Sequence, residues 1–396
     1  MTKQKPLLIK LWGRVTAVYL IAIFSFYMLL RQTWPDYAIR WLGITLLVAF
    51  YCLYILWKYL PQNHRADETA VLPKLGWGNG LTLLRGLNIS IVAGFLLAPW
   101  PKGWLAWAPA LLYTAADIAD YLDGYAARKT NHVTQLGETL DMEFDGLGLI
   151  IVSLLAVWYR QLPWWYLLIG FALYFFVFGL WVRKQLGLRQ HPMIFSWHRR
   201  IFAGFQMGFM SVVLWPIVPA ASATIAGTMF ALATCASFLR DWLMVIGWLD
   251  AKTDFYQIWQ QRIYRLTAVI LPPVFRAILL VCMLNIIGQM MLPIRPYAWT
   301  ELFNSWGLPF GHHLALIWLF IGIAAAFMIF IGAAGRIFAI FILFPIGFDM
   351  IASGANLSNS IALICALYIL MLGTGAFSFW QPEEKFMTLH AGKSTN

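Results

Sequence analysis

The chain has 396 residues, of which 61% are hydrophobic and only 11% charged, with 21 tryptophans and a mean hydropathy of +0.71. Soluble domains carry about 25% charged residues, so this composition excludes a soluble globular protein and points to an integral membrane protein. The net charge of +11 requires no nucleic acid partner, because the basic residues gather in short loops where they suit an anionic lipid surface.

A helix needs about 20 apolar residues to cross the hydrocarbon core. On that basis the sequence predicts an all-α polytopic bundle of about twelve spans. In chain order they cover 15–31, 40–57, 80–98, 104–127, 141–159, 163–182, 201–218, 222–248, 267–291, 312–331, 335–353 and 358–379. The first span follows Lys3, Lys5, Lys10 and Arg14. It is too long for a signal h-region and lacks a small-residue cleavage site, so a retained anchor is expected. Three blocks result: a two-helix extension with a polar linker (1–76), a six-helix core (77–250) and a four-helix membrane domain (266–396). An amphiphilic linker from Lys252 to Arg265 separates the last two, and there is no convincing internal repeat.

With the N-terminus in the cytoplasm, all but Arg31, Arg40, Lys102, Arg160 and Arg295 of the 28 basic residues lie on the cytoplasmic side. This is the positive-inside pattern of a multi-pass cell-membrane protein with both termini cytoplasmic. Cys52, Cys235, Cys282 and Cys365 all fall inside predicted spans, so neither a disulfide framework nor a zinc ligand set is indicated.

Seven of the 17 acidic residues lie between positions 117 and 145. A carboxylate at membrane depth costs about 2.5–3.5 kcal/mol on insertion scales, so such residues are read as functional. Asp120 and Asp123 stand three apart at the end of one predicted helix, Asp141 and Asp145 four apart at the start of the next. Each pair therefore shares a face. The turn Lys129-Thr130-Asn131-His132 lets the pairs converge. Four carboxylates so placed repel one another unless divalent cations lie between them. Hard Mg²⁺ or Mn²⁺ ions prefer oxygen ligands and share them with phosphates. Gly124 and Ala127 leave room for a bulky ligand, Arg128 adds a phosphate-compatible guanidinium, and Gly137 would let the chain bend before Asp141.

The string Asp120-x-x-Asp123-Gly124-x-x-Ala127-Arg128, eight residues, Gly137-x-x-x-Asp141-x-x-x-Asp145 resembles the signature of the CDP-alcohol phosphotransferases. Upstream, Asn79-Gly80-Leu81-Thr82-Leu83-Leu84-Arg85 is similar to that family's N-x-L-T-x-x-R segment, and the resemblance covers roughly residues 77–250. It implies phospholipid synthesis: an acceptor hydroxyl attacks the lipid-side phosphate of a CDP-linked lipid and releases CMP. It further implies that Asp120, Asp123, Asp141 and Asp145 hold two divalent cations, Mg²⁺ or Mn²⁺, and that Asp145 is also the base. Asn79, Gly80, Leu81, Thr82, Gly124, Arg128 and Thr134 would contact the nucleotide and diphosphate. The implied partners are a CDP-diacylglycerol-like donor, a small polar alcohol and membrane lipids, with no nucleic acid; a homodimer is compatible. The site would lie at the cytoplasmic face, open sideways to the lipid.

Other features admit two readings. Arg189, His191, His198, Arg199 and Arg200, with Gln206 beyond, are either topological anchors or a pocket for an acceptor carrying its own phosphate, such as glycerol phosphate or inositol phosphate. Arg199 and Arg200 are its candidate acceptor contacts. Arg240-Asp241 and the Tyr121–Ala127 stretch resemble the glycerol-phosphate-using branch, whereas Gly146-Leu147 departs from it where that branch carries a lysine. Asp117 is equally a structural or a catalytic candidate, and Glu138 and Glu143 miss the spacing. Residues 372–379 give the last block an outline similar to the DoxX-like membrane family, with no chemistry attached. The rival functions are a cation transporter or channel, which requires carboxylates continuing across the bilayer, and a catalytically silent scaffold, against which the intact motif argues.

Overall fold

The apolar runs become helices, and the described residues contain no strand, only an isolated bridge between Ala333 and Trp380. The computed structural model describes residues 5–66, 68, 70–192, 197–250, 252–291 and 298–384. Arg295, expected on the outer side, lies outside them. Two units result, one formed by Met1–Phe175 with Met210–Pro216, the other by Phe176–Phe209 with Ile217–Asn396.

The first unit holds α1 (Lys5–Thr33), α2 (Pro35–Tyr59), α3 (Gly76–Ala93), α4 (Ala108–Lys129), α5 (Gln135–Trp158) and the short α6 (Leu167–Gly170). Central to it is α3, which packs against α2, α4 and α5 and is buried along most of its length. Between helices in lipid, close backbone approach does what the hydrophobic effect does in water, and small residues permit it. Gly78 is such a point: a Cβ there would lie 2.7 Å from Ala127 Cβ of α4. The N-terminal pair is tied to the same helix. Tyr19 of α1 donates to Leu83 O at 2.6 Å, and Trp41 Nε1 of α2 donates to Ile91 O at 3.1 Å.

The second unit contains α7 (Ala172–Gln185), α8 (Trp197–Val213), α9 (Ala220–Val245), α10 (Asp254–Tyr264), α11 (Leu271–Met291), α12 (Ala298–Ser305), α13 (Gly311–Ile331), α14 (Gly335–Ser353) and α15 (Leu357–Leu372). The first four residues of α7 and the last turn of α8 belong to the first unit. Helices α11, α13, α14 and α15 pack together around Leu279, Met283, Ile329, Ile346, Ala366 and Ile369, with Trp299 of α12 fully buried beside them. Two buried arginines hold backbone carbonyls that lipid would leave unsatisfied. Arg276 donates through Nε to Phe330 O at 3.0 Å and through Nη1 to Thr374 O at 3.0 Å and Ala376 O at 2.9 Å. Arg336 donates to Leu370 O at 2.6 Å and Met371 O at 2.9 Å, and pairs with Glu384 at 2.8 Å.

Six helical stretches among the described residues are long and apolar enough to cross a membrane, seven if a bent pair counts as one span. Together with the family described below, they make this a multi-pass membrane protein. Helices α3, α4 and α5 are too polar to qualify, because they carry the residues of the acidic cluster and its partners. Three expectations are refined. The span expected at 163–182 is a pair of pieces, Trp164–Gly170 and Ala172–Gln185, bent by 55°. The break between the spans expected at 312–331 and 335–353 is made by Gly332 and Ala334, both left-handed. The linker at 252–265 is helical and continuous with the span after it, giving Asp254–Gln289 a length of 36 residues. Thr253 starts it by accepting from Tyr256 N, and a π turn at Arg265–Ile270 joins α10 to α11.

Candidate active site

Helix α5 begins earlier than the apolar pattern alone implies. Thr134 takes an extended conformation and caps it, its hydroxyl accepting from Gly137 N at 3.1 Å. Asp141 therefore stands in the second turn, and Gly137 lies inside the helix instead of bending the chain. Its small size has another cause: a Cβ at Gly137 would lie 2.6 Å from Asn79 Oδ1. The turn from α4 into α5 is closed by Asn131, whose φ of 51° is left-handed, and by His132, which faces Lys74 O at 3.1 Å.

This geometry brings Asp120, Asp141 and Asp145 together, with one carboxylate oxygen of each within 4.8 Å of the others. Asp123 belongs to the same rim but is held separately: Thr82 donates to its Oδ2 at 2.7 Å. At the centre lies a residue the motif reading quoted without giving it a role. The Arg85 guanidinium, whose side chain is 3% exposed, pairs with Asp120, with Asp141 at 3.0 Å and with Asp145 at 3.2 Å. It also donates to Asp141 O at 2.8 Å. An arginine inside the span expected at 80–98 was the available signal, since such a charge requires a partner.

The other expected contacts divide into two groups. Asn79, Thr82 and Thr134 are buried and already engaged. Asn79 Nδ2 donates to Thr134 Oγ1 at 3.0 Å and to Asn63 Oδ1 at 3.3 Å, so the linker before α3 is tied to the start of α5. Gly80, Leu81, Gly124 and Arg128 are exposed or partly so. Arg128 folds back over Gly124, where a Cβ would meet its Nη1 at 3.2 Å. The side chains of His198, Arg199 and Arg200 lie outside the described residues.

The remaining carboxylates have local partners. Ser211 donates to Asp117 at 2.8 Å, and Tyr51 of α2 donates to Glu143 at 3.0 Å. Glu138 is exposed. In the second unit Arg240 lies 4.0 Å from Asp241, and His191 N donates to Val245 O at 3.1 Å.

Chemically, the cluster fits a hard divalent cation. Its ligand atoms are all carboxylate oxygens, and Asp145 Oδ1 is buried with no hydrogen bond among the described residues, Arg85 meeting it at 3.2 Å as an ion pair only. Carboxylates that share one arginine three ways leave electrostatic demand that a second cation can meet.

Comparison with known proteins bears directly on this site. Residues 77–253 match the family model of the CDP-alcohol phosphatidyltransferases. Over 140 residues the chain is 28% identical to the CDP-diacylglycerol--glycerol-3-phosphate 3-phosphatidyltransferase of Escherichia coli (strain K12), covering 34% of this chain and 75% of that protein. The protein of the same description from Shigella sonnei (strain Ss046) gives the same figures, and that from Shigella flexneri serotype 5b (strain 8401) is 27% identical over the same shares. No solved structure matches the chain. Residues 77–253 thus form a CDP-alcohol phosphatidyltransferase domain, and the chain is a transferase.

Proposed function

We propose that this chain transfers a phosphatidyl group from CDP-diacylglycerol to the hydroxyl of a small polar acceptor of the glycerol-phosphate kind, releasing CMP. The observation that carries this reading is the convergence of Asp120, Asp141 and Asp145 within 4.8 Å on the signature of the matched family. The acceptor class is supported by the relatives named for glycerol 3-phosphate and by the Tyr121–Ala127 stretch. Gly146-Leu147 counts against it, and inositol phosphate is the second choice.

Asp120, Asp123, Asp141 and Asp145 would hold the divalent cations, Mg²⁺ or Mn²⁺, which when bound supply charge that polarises the diphosphate. Asp145 takes the proton of the acceptor hydroxyl. The freed oxygen forms a bond to the phosphorus that carries the diacylglycerol. The bond from that phosphorus to the bridging oxygen breaks, and CMP leaves with the electron pair. Gly80, Leu81, Gly124 and Arg128, on the accessible side, serve the nucleotide and diphosphate. Asn79, Thr82 and Thr134 position the carboxylates from behind. The site faces the cytoplasm with both termini on that side, which the distribution of basic residues supports. In this scheme 77–250 is the catalytic core, 1–76 braces it, and 266–396 is a separate membrane domain.

The test is an acceptor screen. Purified protein with Mg²⁺ or Mn²⁺ and CDP-diacylglycerol should release CMP with glycerol phosphate, and less or none with inositol phosphate, inositol, serine or other polyols. Chelation should stop release, and Asp145→Asn should abolish it while circular dichroism shows the helical content intact. Absence of CMP with every acceptor would overturn the assignment.

A further inference from the structure

The three carboxylates that converge on α4 and α5 meet a protein cation before they meet any other. Arg85 projects from α3 into the centre of the group, with its side chain only 3% exposed. A guanidinium is a delocalised cation with five N–H donors. The pairing is not the two-bond fork by which arginine grips a single carboxylate. One nitrogen faces Asp120, the other hydrogen-bonds Asp141 Oδ1 at 3.0 Å and lies 3.2 Å from Asp145 Oδ1 as an ion pair outside hydrogen-bonding geometry, and Nε has no hydrogen bond among the described residues.

We infer that Arg85 is a positioning residue that competes with the divalent cation for Asp120, Asp141 and Asp145, and so sets the cation concentration at which the site loads. Mg²⁺ and Mn²⁺ need near-octahedral oxygen ligands, at about 2.0–2.1 Å for Mg²⁺. The N–H directed at Asp141 Oδ1 uses a lone pair that the ion requires, and the charge of the guanidinium, paired with all three carboxylates, repels the ion. The guanidinium has a neutral alternative close by. Asp141 O accepts from Nη2 at 2.8 Å, so the carboxylates can be released while that nitrogen remains hydrogen-bonded. One buried residue thereby holds the carboxylates near one another and limits how tightly the ion binds.

This inference rests on the phosphatidyltransferase reading only for the divalent ion, and its test needs no lipid substrate. Mn²⁺ binding to the purified full chain in detergent is followed by electron paramagnetic resonance, with Mn²⁺-dependent thermal unfolding as a second readout. Arg85→Met should bind Mn²⁺ at least about tenfold tighter than the parent. Arg85→Lys keeps one charge on a shorter stem, reaches fewer carboxylates, and should fall between the two at about threefold tighter. Equal or weaker binding by Arg85→Met, in a parent that does bind Mn²⁺, overturns the competition and leaves the phosphotransfer reading standing. Failure of both parent and variant to bind Mn²⁺ overturns both. Should Arg85→Met not fold, Arg85→Lys decides alone: tighter binding supports the competition, and unchanged or weaker binding overturns it.

Discussion

Thr82 separates a residue that touches substrate from one that holds a catalytic carboxylate. Its hydroxyl has a single proton and two acceptors within reach, Gly78 O at 3.2 Å and Asp123 Oδ2 at 2.7 Å. The shorter bond, to the carboxylate, takes it. Thr82→Val keeps the branched shape and removes that proton. A hydrogen bond to a charged group contributes about 1.5–3 kcal/mol, and loss of that much from the transition state lowers kcat by about 10- to 150-fold. Steady-state CMP release at saturating acceptor should show this fall in kcat with the KM for CDP-diacylglycerol unchanged. Thr82→Ser, which restores the donor, should recover kcat to within about threefold. A raised KM with kcat preserved would show that Thr82 binds the donor directly. Parental kcat in the valine variant would refute the positioning role outright.

Two further outcomes follow from packing. Gly78→Val forces side-chain atoms into Ala127, and overpacking of this kind costs about 1–3 kcal/mol. Thermal unfolding in detergent should register a lower Tm, and an unchanged Tm would mean that α3 and α4 can separate freely. Arg276→Met strips the donors from Phe330 O, Thr374 O and Ala376 O in the second unit, a loss on the order of 3 kcal/mol for buried acceptors. Hydrogen exchange should rise across residues 373–380, and parental protection there would show that the turn holds itself.

The helical architecture was legible because lipid demands long apolar runs, and those runs are conspicuous even where the helices bend. Local grammar was less visible. Nothing in the apolar periodicity of 163–182 marks the break beside Phe171, and the amphiphilic stretch after Thr253 reads as a linker until its capping hydroxyl and continuity with α11 are seen. The acidic cluster was legible for a different reason. Spacings of three and four residues put Asp120 with Asp123 and Asp141 with Asp145 whatever the tertiary structure does. Helix spacing is silent, however, about partners from a distant segment. That Asp123 would be taken by Thr82, that Arg85 would enter among the other three, and that Asn79 would face Asn63 and Thr134 all depend on how α3 lies against α4 and α5. Buried polar residues on one helix announced that partners exist without naming them.

Asn79, Thr82 and Arg85 follow one another at three-residue intervals, and each is fastened to a different piece of chain: the start of α5, the end of α4, and the carboxylate group between them. Helix α3 therefore acts as a rack with three teeth. One residue of axial travel is about 1.5 Å, enough to break all three engagements at once and too little to form new ones. Tyr19 and Trp41 grip the backbone of that rack at Leu83 and Ile91, which gives the N-terminal pair a share in setting its zero.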